Sequence, residues 1–259
     1  MPPIDSHAPG TFCWVELGTT DQNAAKQFYG TLFGWSFVDY PMGPGEAYTI
    51  FQLEGRDSAA LYTMREGERF QGVPPHWNLY VAVENADASA ARALELGATL
   101  PAGVFDVGNN GRMAVVIDPT GAPICIWQAK DTPGLRVMGE NNTYCWADLT
   151  TGDRMGAKKF YEALFGWKAI PGKDKDESTY LHIMAGEQGI GGIQPDMMRK
   201  DGVPPHWLPY FLVASVDDTT AKSSGLGGKV LVPPTVVGES LRISVLADPQ
   251  GAVFALFQS

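Results

Sequence analysis

The chain has 259 residues and a formal charge of −10, from 19 Lys and Arg against 29 Asp and Glu. That balance excludes a nucleic-acid partner or an acidic membrane surface, since both need a basic face. No apolar run approaches the roughly 18 residues of a membrane helix. The length suits about two domains, each large enough for its own core. Three cysteines without CxxC spacing read as free thiols in a reducing, cytoplasmic compartment, and the start MPPIDSHAPG lacks the basic and apolar regions of a signal peptide.

In chain order, Thr11 to Leu17 alternates and predicts a strand. Asp21 is a good N-cap for a helix with Ala24, Ala25, Phe28, Tyr29, Leu32 and Phe33 at helical spacing, and Gly34 can end it in the left-handed conformation. Tyr48 to Leu53 and Ala59 to Thr63 predict strands, and Pro74-Pro75 enters another over Trp77 to Val83. Asp87 is expected to cap a second helix that Gly97 ends. Strands near Arg112 to Ile117 and Pro123 to Gln128 follow, joined by a turn at Asp118-Pro119-Thr120-Gly121.

The same elements then return. Phe12-Cys13-Trp14-Val15-Glu16-Leu17 recurs as Tyr144-Cys145-Trp146-Ala147-Asp148-Leu149, and DQNAAKQFYGTLFGW from Asp21 recurs as DRMGAKKFYEALFGW from Asp153, both 132 residues later. Val73-Pro74-Pro75-His76-Trp77 recurs from Val203, and Asp118-Pro119-Thr120-Gly121-Ala122 from Asp248, both 130 residues later. Four blocks in one order mean a duplicated domain. The period is far longer than the roughly 20–50 residues of a solenoid. Each repeat reads β-α-β-β-β twice, giving domains at 9–130 and 142–259 with a polar, Pro- and Gly-containing linker at 131–141.

The combination of FYxxLFGW after an Asp-capped helix with a later DPxGA resembles the vicinal oxygen chelate superfamily, which includes glyoxalase I, extradiol dioxygenases and bleomycin and fosfomycin resistance proteins. The tandem form with PPHW is similar to two-domain actinobacterial members often labelled hydroxylases. The resemblance implies an α+β fold in which each domain pairs two βαβββ modules into a curved, half-open sheet around a cleft, with helices outside. It also implies a metal site, with ligands in the first, fifth and last strands. The matching positions are Trp14, Asn78 and Cys125 in repeat one, and Trp146, Leu208 and Ala255 in repeat two. Trp, Leu and Ala do not bind a hard divalent cation, so no metal and no cofactor is expected.

Strand alternation predicts what lines the cleft instead. Phe12, Trp14 and Glu16 share one face, as do Tyr144, Trp146 and Asp148; His76, Asn78 and Tyr80 join the first set, and His206, Leu208 and Tyr210 the second. Cys125 and Trp127 point inward in repeat one, Ala255 and Phe257 in repeat two. Such a lining suits a small aromatic or apolar compound with a few polar handles, held by a monomer or homodimer. The tryptophans also fit as core plugs, and the histidines as turn-stabilising residues at the rim. Glu16 and Asp148 fit as ion-pair partners of Arg112 and Arg242, which match across the repeats. The alternative function is an enzyme using Glu16, His76, Asp148 and His206 as acids and bases on a natural-product-like substrate. His7 is placed in a loose terminus, His182 is given a local role, and Cys125 lacks a recognisable activating base.

Overall fold

A computed structural model describes residues 3–43, 46–67, 72–172, 175–198, 202–238 and 240–259. Residues 1 and 2 of the MPPIDSHAPG start lie outside these. Within the described residues the chain forms two mixed eight-stranded sheets and four α-helices. The first sheet holds β1 (Phe12–Thr19), β2 (Ser36–Gly43), β3 (Glu46–Leu53), β4 (Arg56–Thr63), β5 (His76–Ala82), β6 (Phe105–Val107), β7 (Gly111–Ile117) and β8 (Pro123–Ala129), in the order β2-β3-β4-β1-β5-β8-β7-β6. The second holds β9 (Thr143–Thr150), β10 (Lys168–Pro171), β11 (Leu181–Ala185), β12 (Gln188–Ile193), β13 (His206–Leu212), β14 (Lys229–Val237), β15 (Leu241–Ala247) and β16 (Val253–Gln258), in the equivalent order. In each sheet the two first strands of the modules lie antiparallel at the centre, and each pairs in parallel with the last strand of its own module. This is the expected α+β architecture of tandem curved sheets.

Helix α1 (Gln22–Phe33) starts where the Asp21 side chain accepts from the Ala24 N–H at 3.0 Å and stops at Gly34, whose φ of 73° suits a residue without Cβ. Its repeat α3 (Arg154–Phe165) does the same between Asp153 and Gly166. Helices α2 (Ala86–Glu95) and α4 (Val216–Gly225) complete the set. The cap of α2 differs from expectation: Asn85 accepts from Ala88 N–H, and Asp87 sits in the first turn, its carboxylate turned to Arg112.

The recurring aromatic motifs hold the two domains to one another. Tyr29 on α1 donates to Asp248 at 3.0 Å, and Tyr161 on α3 donates to Asp118 at 2.8 Å. Each tyrosine oxygen also accepts the indole N–H of its own domain's PPHW tryptophan, Trp77 at 3.2 Å and Trp207 at 2.9 Å. Trp35 donates to the Asn142 carbonyl and Trp167 to the Gly10 carbonyl, again across the repeats. Phe12 packs on Tyr144, Trp167 and Trp207, and Phe33 on Phe211, so one continuous core runs through both domains.

One further expectation is corrected, that of a loose start around His7, and the 131–141 linker shows why: Leu135 and Val137 are buried, Leu135 N–H donates to Cys13 O, and Arg136 N–H donates to Asp57 O. Gly134, at φ 125°, comes so close to the Cys13 carbonyl that a Cβ there would overlap it. The N-terminal segment is likewise tied down, because the His7 ring Nε2 lies 2.9 Å from Leu135 O. Burial lowers the His7 pKa.

Candidate functional site

The strand register defines the concave face of the first sheet. Val38 pairs with Ile50, Ile50 with Ala60, Ala60 with Glu16, and Glu16 with Asn78. Directly paired residues point to the same side of a sheet, so all five share the face that holds Glu16. Trp14, Tyr80 and Cys125 form one such row, Trp127, Met113 and Phe105 another. Phe12 does not belong to this face, contrary to simple alternation. A register shift between Phe12 and Trp14 turns its ring into the interdomain core, and the repeat has the same shift, which sends Tyr144 there as well.

At the floor of cleft one, Glu16 is 8% exposed. It accepts from Tyr80 Oη at 2.6 Å and is hydrogen-bonded by Tyr48, whose oxygen accepts the Trp14 indole N–H at 3.1 Å. Tyr80 is held protonated, first by burial and then by the Glu16 charge. In cleft two the repeat builds the same device from matched residues. Asp148 accepts from Tyr180 Oη (2.5 Å), Tyr210 Oη (2.8 Å), Trp146 Nε1 (3.1 Å) and Gln194 Nε2 (3.2 Å). Burial raises the Asp148 pKa and these four donors oppose the rise.

The arginines are elsewhere. Arg112 is bound by Asp87 and Asp106 on the outer surface, and Arg242 by Asp217, so neither neutralises Glu16 or Asp148. The expected pairing failed because the arginines stand on the last-but-one strands, facing the first turn of α2 and of α4. His76 and His206 stand at strand entrances with ring Nδ1 2.8 and 2.9 Å from the Pro74 and Pro204 carbonyls. The carboxylates are engaged by tyrosines, not by these rings. Asn78 Nδ2 donates weakly to Tyr62 Oη at 3.5 Å. Cys125 is buried and its thiol is pushed well up, chiefly by desolvation, which leaves no thiolate for nucleophilic attack. Trp127 sits at 8% exposure, its N–H on Thr132 O and its ring against Gly111.

Sequence reasoning missed Tyr48 and Tyr180, which match across the repeats and complete both carboxylate clusters. It also missed the lips. Val38 and Tyr40 on β2 share the concave face and are 40% and 49% exposed, and Met42, at a register shift just beyond them, is 68% exposed; Phe105 lies on the same face at the opposite edge, on β6. In cleft two Ile170, Val237 and Leu241 are the exposed apolar equivalents, and His182, expected to have a local role, pairs with Ile170 and Gly192 and so faces the cleft. The β2 strand carried a signal, since Phe37-Val38 and Tyr40 follow FGW, but an edge strand with every residue exposed lacks the buried alternation that reveals strands. A separate cavity of about 340 Å³ lies between the N-terminal segment and the linker, where Trp127 meets His7, Lys130 and Arg136.

Residues 14–127 match the model of the "Glyoxalase-like domain" family, and residues 144–256 that of the "Glyoxalase/Bleomycin resistance protein/Dioxygenase superfamily". The chain belongs to this superfamily. It is 38% identical to "Putative glyoxylase CFP32" of Mycobacterium tuberculosis over 100% of this chain and 98% of that protein. It is 31% identical to "Anthracycline biosynthesis protein DnrV" of Streptomyces peucetius, over 97% and 94%. Among solved structures, a Mn(II)-bound glyoxalase from Novosphingobium aromaticivorans superposes with a TM-score of 0.65 at 16% identity, over 96% of this chain and 82% of that one. The 2,3-dioxygenase LapB of Pseudomonas sp. KL28 gives 0.66 at 14% identity, over 96% and 92%. At such identities the likeness is one of fold.

The superfamily implies a divalent cation, and the residues at its ligand positions do not fit one. Trp14 and Asn78 present N–H donors to tyrosine oxygens, Cys125 is a buried protonated thiol, and Leu208 and Ala255 offer no donor atom. Among the described residues no three His, Cys, Asp or Glu side chains converge. None of the described helices is long and apolar enough to cross a membrane.

Proposed function

We propose that the chain is a metal-free binding protein of the sequestration type, taking a small planar aromatic compound into its concave clefts. The observation that carries this reading is the pairing of an aromatic floor with exposed apolar lips on one face of one sheet. Val38, Tyr40 and Met42 spend a strand's worth of apolar surface on solvent, which costs about 25 cal/mol per Å² left uncovered. A flat ligand lying between β2 and β6 covers them and stacks on the rings beneath. The name of the Streptomyces relative points the same way, since anthracyclines are fused-ring aromatics. The unpaired thiols of Cys13, Cys125 and Cys145 support a cytoplasmic setting.

Native mass spectrometry of freshly purified protein, with metal analysis of the same sample, tests this reading. The expected result is a small organic adduct and substoichiometric metal. Stoichiometric Zn, Ni, Mn or Fe that survives dialysis, and is lost on mutating Trp14, Asn78 or Cys125, overturns it.

A further inference from the structure

The two clefts share a buried carboxylate held by tyrosines, and they differ in the indole above it, which is buried at Trp14 and half-buried at Trp146. We propose that the second cleft selects aromatic ligands carrying a cationic nitrogen, with Asp148 as the counter-charge; this rests on the aromatic-binding reading above.

Three observations support it. First, Asp148 is 5% exposed and its four partners, Tyr180, Tyr210, Trp146 and Gln194, are all neutral donors. Among the described residues no Lys, Arg or His forms an ion pair with it. Hydrogen bonds from neutral groups spread a carboxylate's charge without cancelling it, so the floor stays negative inside an apolar wall where fields are weakly screened.

Second, the cluster is built for this geometry. Tyr180 lies across Gly192, where any Cβ would collide with the phenol, and the matching residue in the first repeat is Ala60. The Gly-rich β12 thus lets the Tyr180 oxygen come in over the sheet to reach Asp148, while the residue as a whole is half-buried.

Third, the rings that cover the charge are accessible. Trp146 is half-buried, whereas its counterpart Trp14 in the first repeat is closed off at 7% exposure; Tyr180 is half-buried, as is its counterpart Tyr48. Ile243, Val245 and Phe257 around them are also only partly buried, in an apolar cluster separate from the main core. An ammonium group over the face of Trp146 or Tyr180 meets the ring quadrupole and the Asp148 charge behind it together. A carboxylate in the same place meets repulsion from both.

The test uses three probes on one ring system: 2-(aminomethyl)naphthalene, 2-naphthalenemethanol and 2-naphthoate. Each is titrated calorimetrically into the full chain and into Asp148→Asn at neutral pH. The ammonium probe is expected to bind at least about tenfold tighter than the alcohol, with the carboxylate weakest. Asp148→Asn should remove the ammonium probe's advantage, so that the ammonium and the alcohol bind the variant alike. A second measurement stands if that variant fails to fold: tetramethylammonium chloride should displace the ammonium probe from the wild type, and equal sodium chloride should not. Equal affinity for the ammonium and the alcohol would overturn cation selection while leaving aromatic binding intact. Failure of all three to bind would overturn the aromatic reading and this inference with it.

Discussion

Replacing Tyr29 by Phe removes one oxygen from the interdomain seam and leaves the ring. In the wild type that oxygen donates to Asp248 at 3.0 Å and accepts from Trp77 at 3.2 Å. A hydrogen bond to a charged group contributes about 1.5–3 kcal/mol, and stranding the buried indole N–H costs roughly 1–3 kcal/mol more. The Asp248 Oδ1 atom keeps the backbone N–H groups of Gln250, Gly251 and Ala252, which softens the loss. The variant should therefore be about 2–4 kcal/mol less stable, a fall in melting temperature of roughly 5–12 °C for a chain of this size. The pH dependence has a definite sign. Burial raises the Asp248 pKa above its ordinary value and the Tyr29 bond holds it down. Without the bond the folded-state pKa rises further. The deficit should be full at neutral pH and shrink as pH falls through that raised value, where the carboxyl protonates in either protein. Thermal unfolding followed by near-ultraviolet circular dichroism, at neutral pH and at about pH 4, reads both quantities. Tyr161→Phe, the mirror change, should give a similar loss through Asp118 and Trp207. A change below about 0.5 kcal/mol, or a deficit that grows in acid, would refute the reasoning.

Because one core joins the two sheets, wild-type calorimetry should show a single cooperative transition; two well-separated ones would contradict a shared core. Arg56 holds Glu140 with two hydrogen bonds of 2.9 Å and is the largest of the causes that lower its pKa to about 2. The stability this pair contributes should be complete above the ordinary glutamate range and lost as pH falls toward 2, so Arg56→Ala and the wild type should converge in acid denaturation curves. Gly111→Ala places a methyl group against the Trp127 ring and should destabilise by about 1–3 kcal/mol while shifting the tryptophan fluorescence. Glu16→Gln should keep most of the affinity for a neutral aromatic ligand; a loss of about 10²–10⁴ in turnover of any compound, with binding intact, would identify Glu16 as a general base instead.

The duplication, the βαβββ modules and the cleft-facing row of Trp14, Glu16 and Asn78 are legible from repetition and alternation alone. Four things are not. The bulge after Phe12 moves that ring to the other face, because alternation assumes an unbroken register. The ion pairs of Arg112 and Arg242 depend on which helix turn passes outside their strands, which a repeat match does not encode. The roles of the repeated motifs also mislead: Tyr29, Tyr161, Asp118 and Asp248 recur in both repeats because they cross-bond two domains, a relation visible only once the domains are placed together. The lips on β2 escape pattern reading since exposed apolar residues on an edge strand resemble a loop as much as a binding surface.

The central claim is that ligands bind on the concave face, and β2 offers an internal comparison. Tyr40 pairs with Tyr48 and faces the cleft; Phe37 pairs with the buried Phe51 and faces the outside, under Lys26. Both rings are about half exposed, at 49% and 48%. Titration of a planar aromatic ligand into Tyr40→Asp and Phe37→Asp isolates the face from the surface chemistry. Tyr40→Asp should weaken the affinity of cleft one by about tenfold or more, and Phe37→Asp should leave it within about twofold. Equal losses in the two variants, or a loss confined to Phe37→Asp, would contradict binding in the cleft.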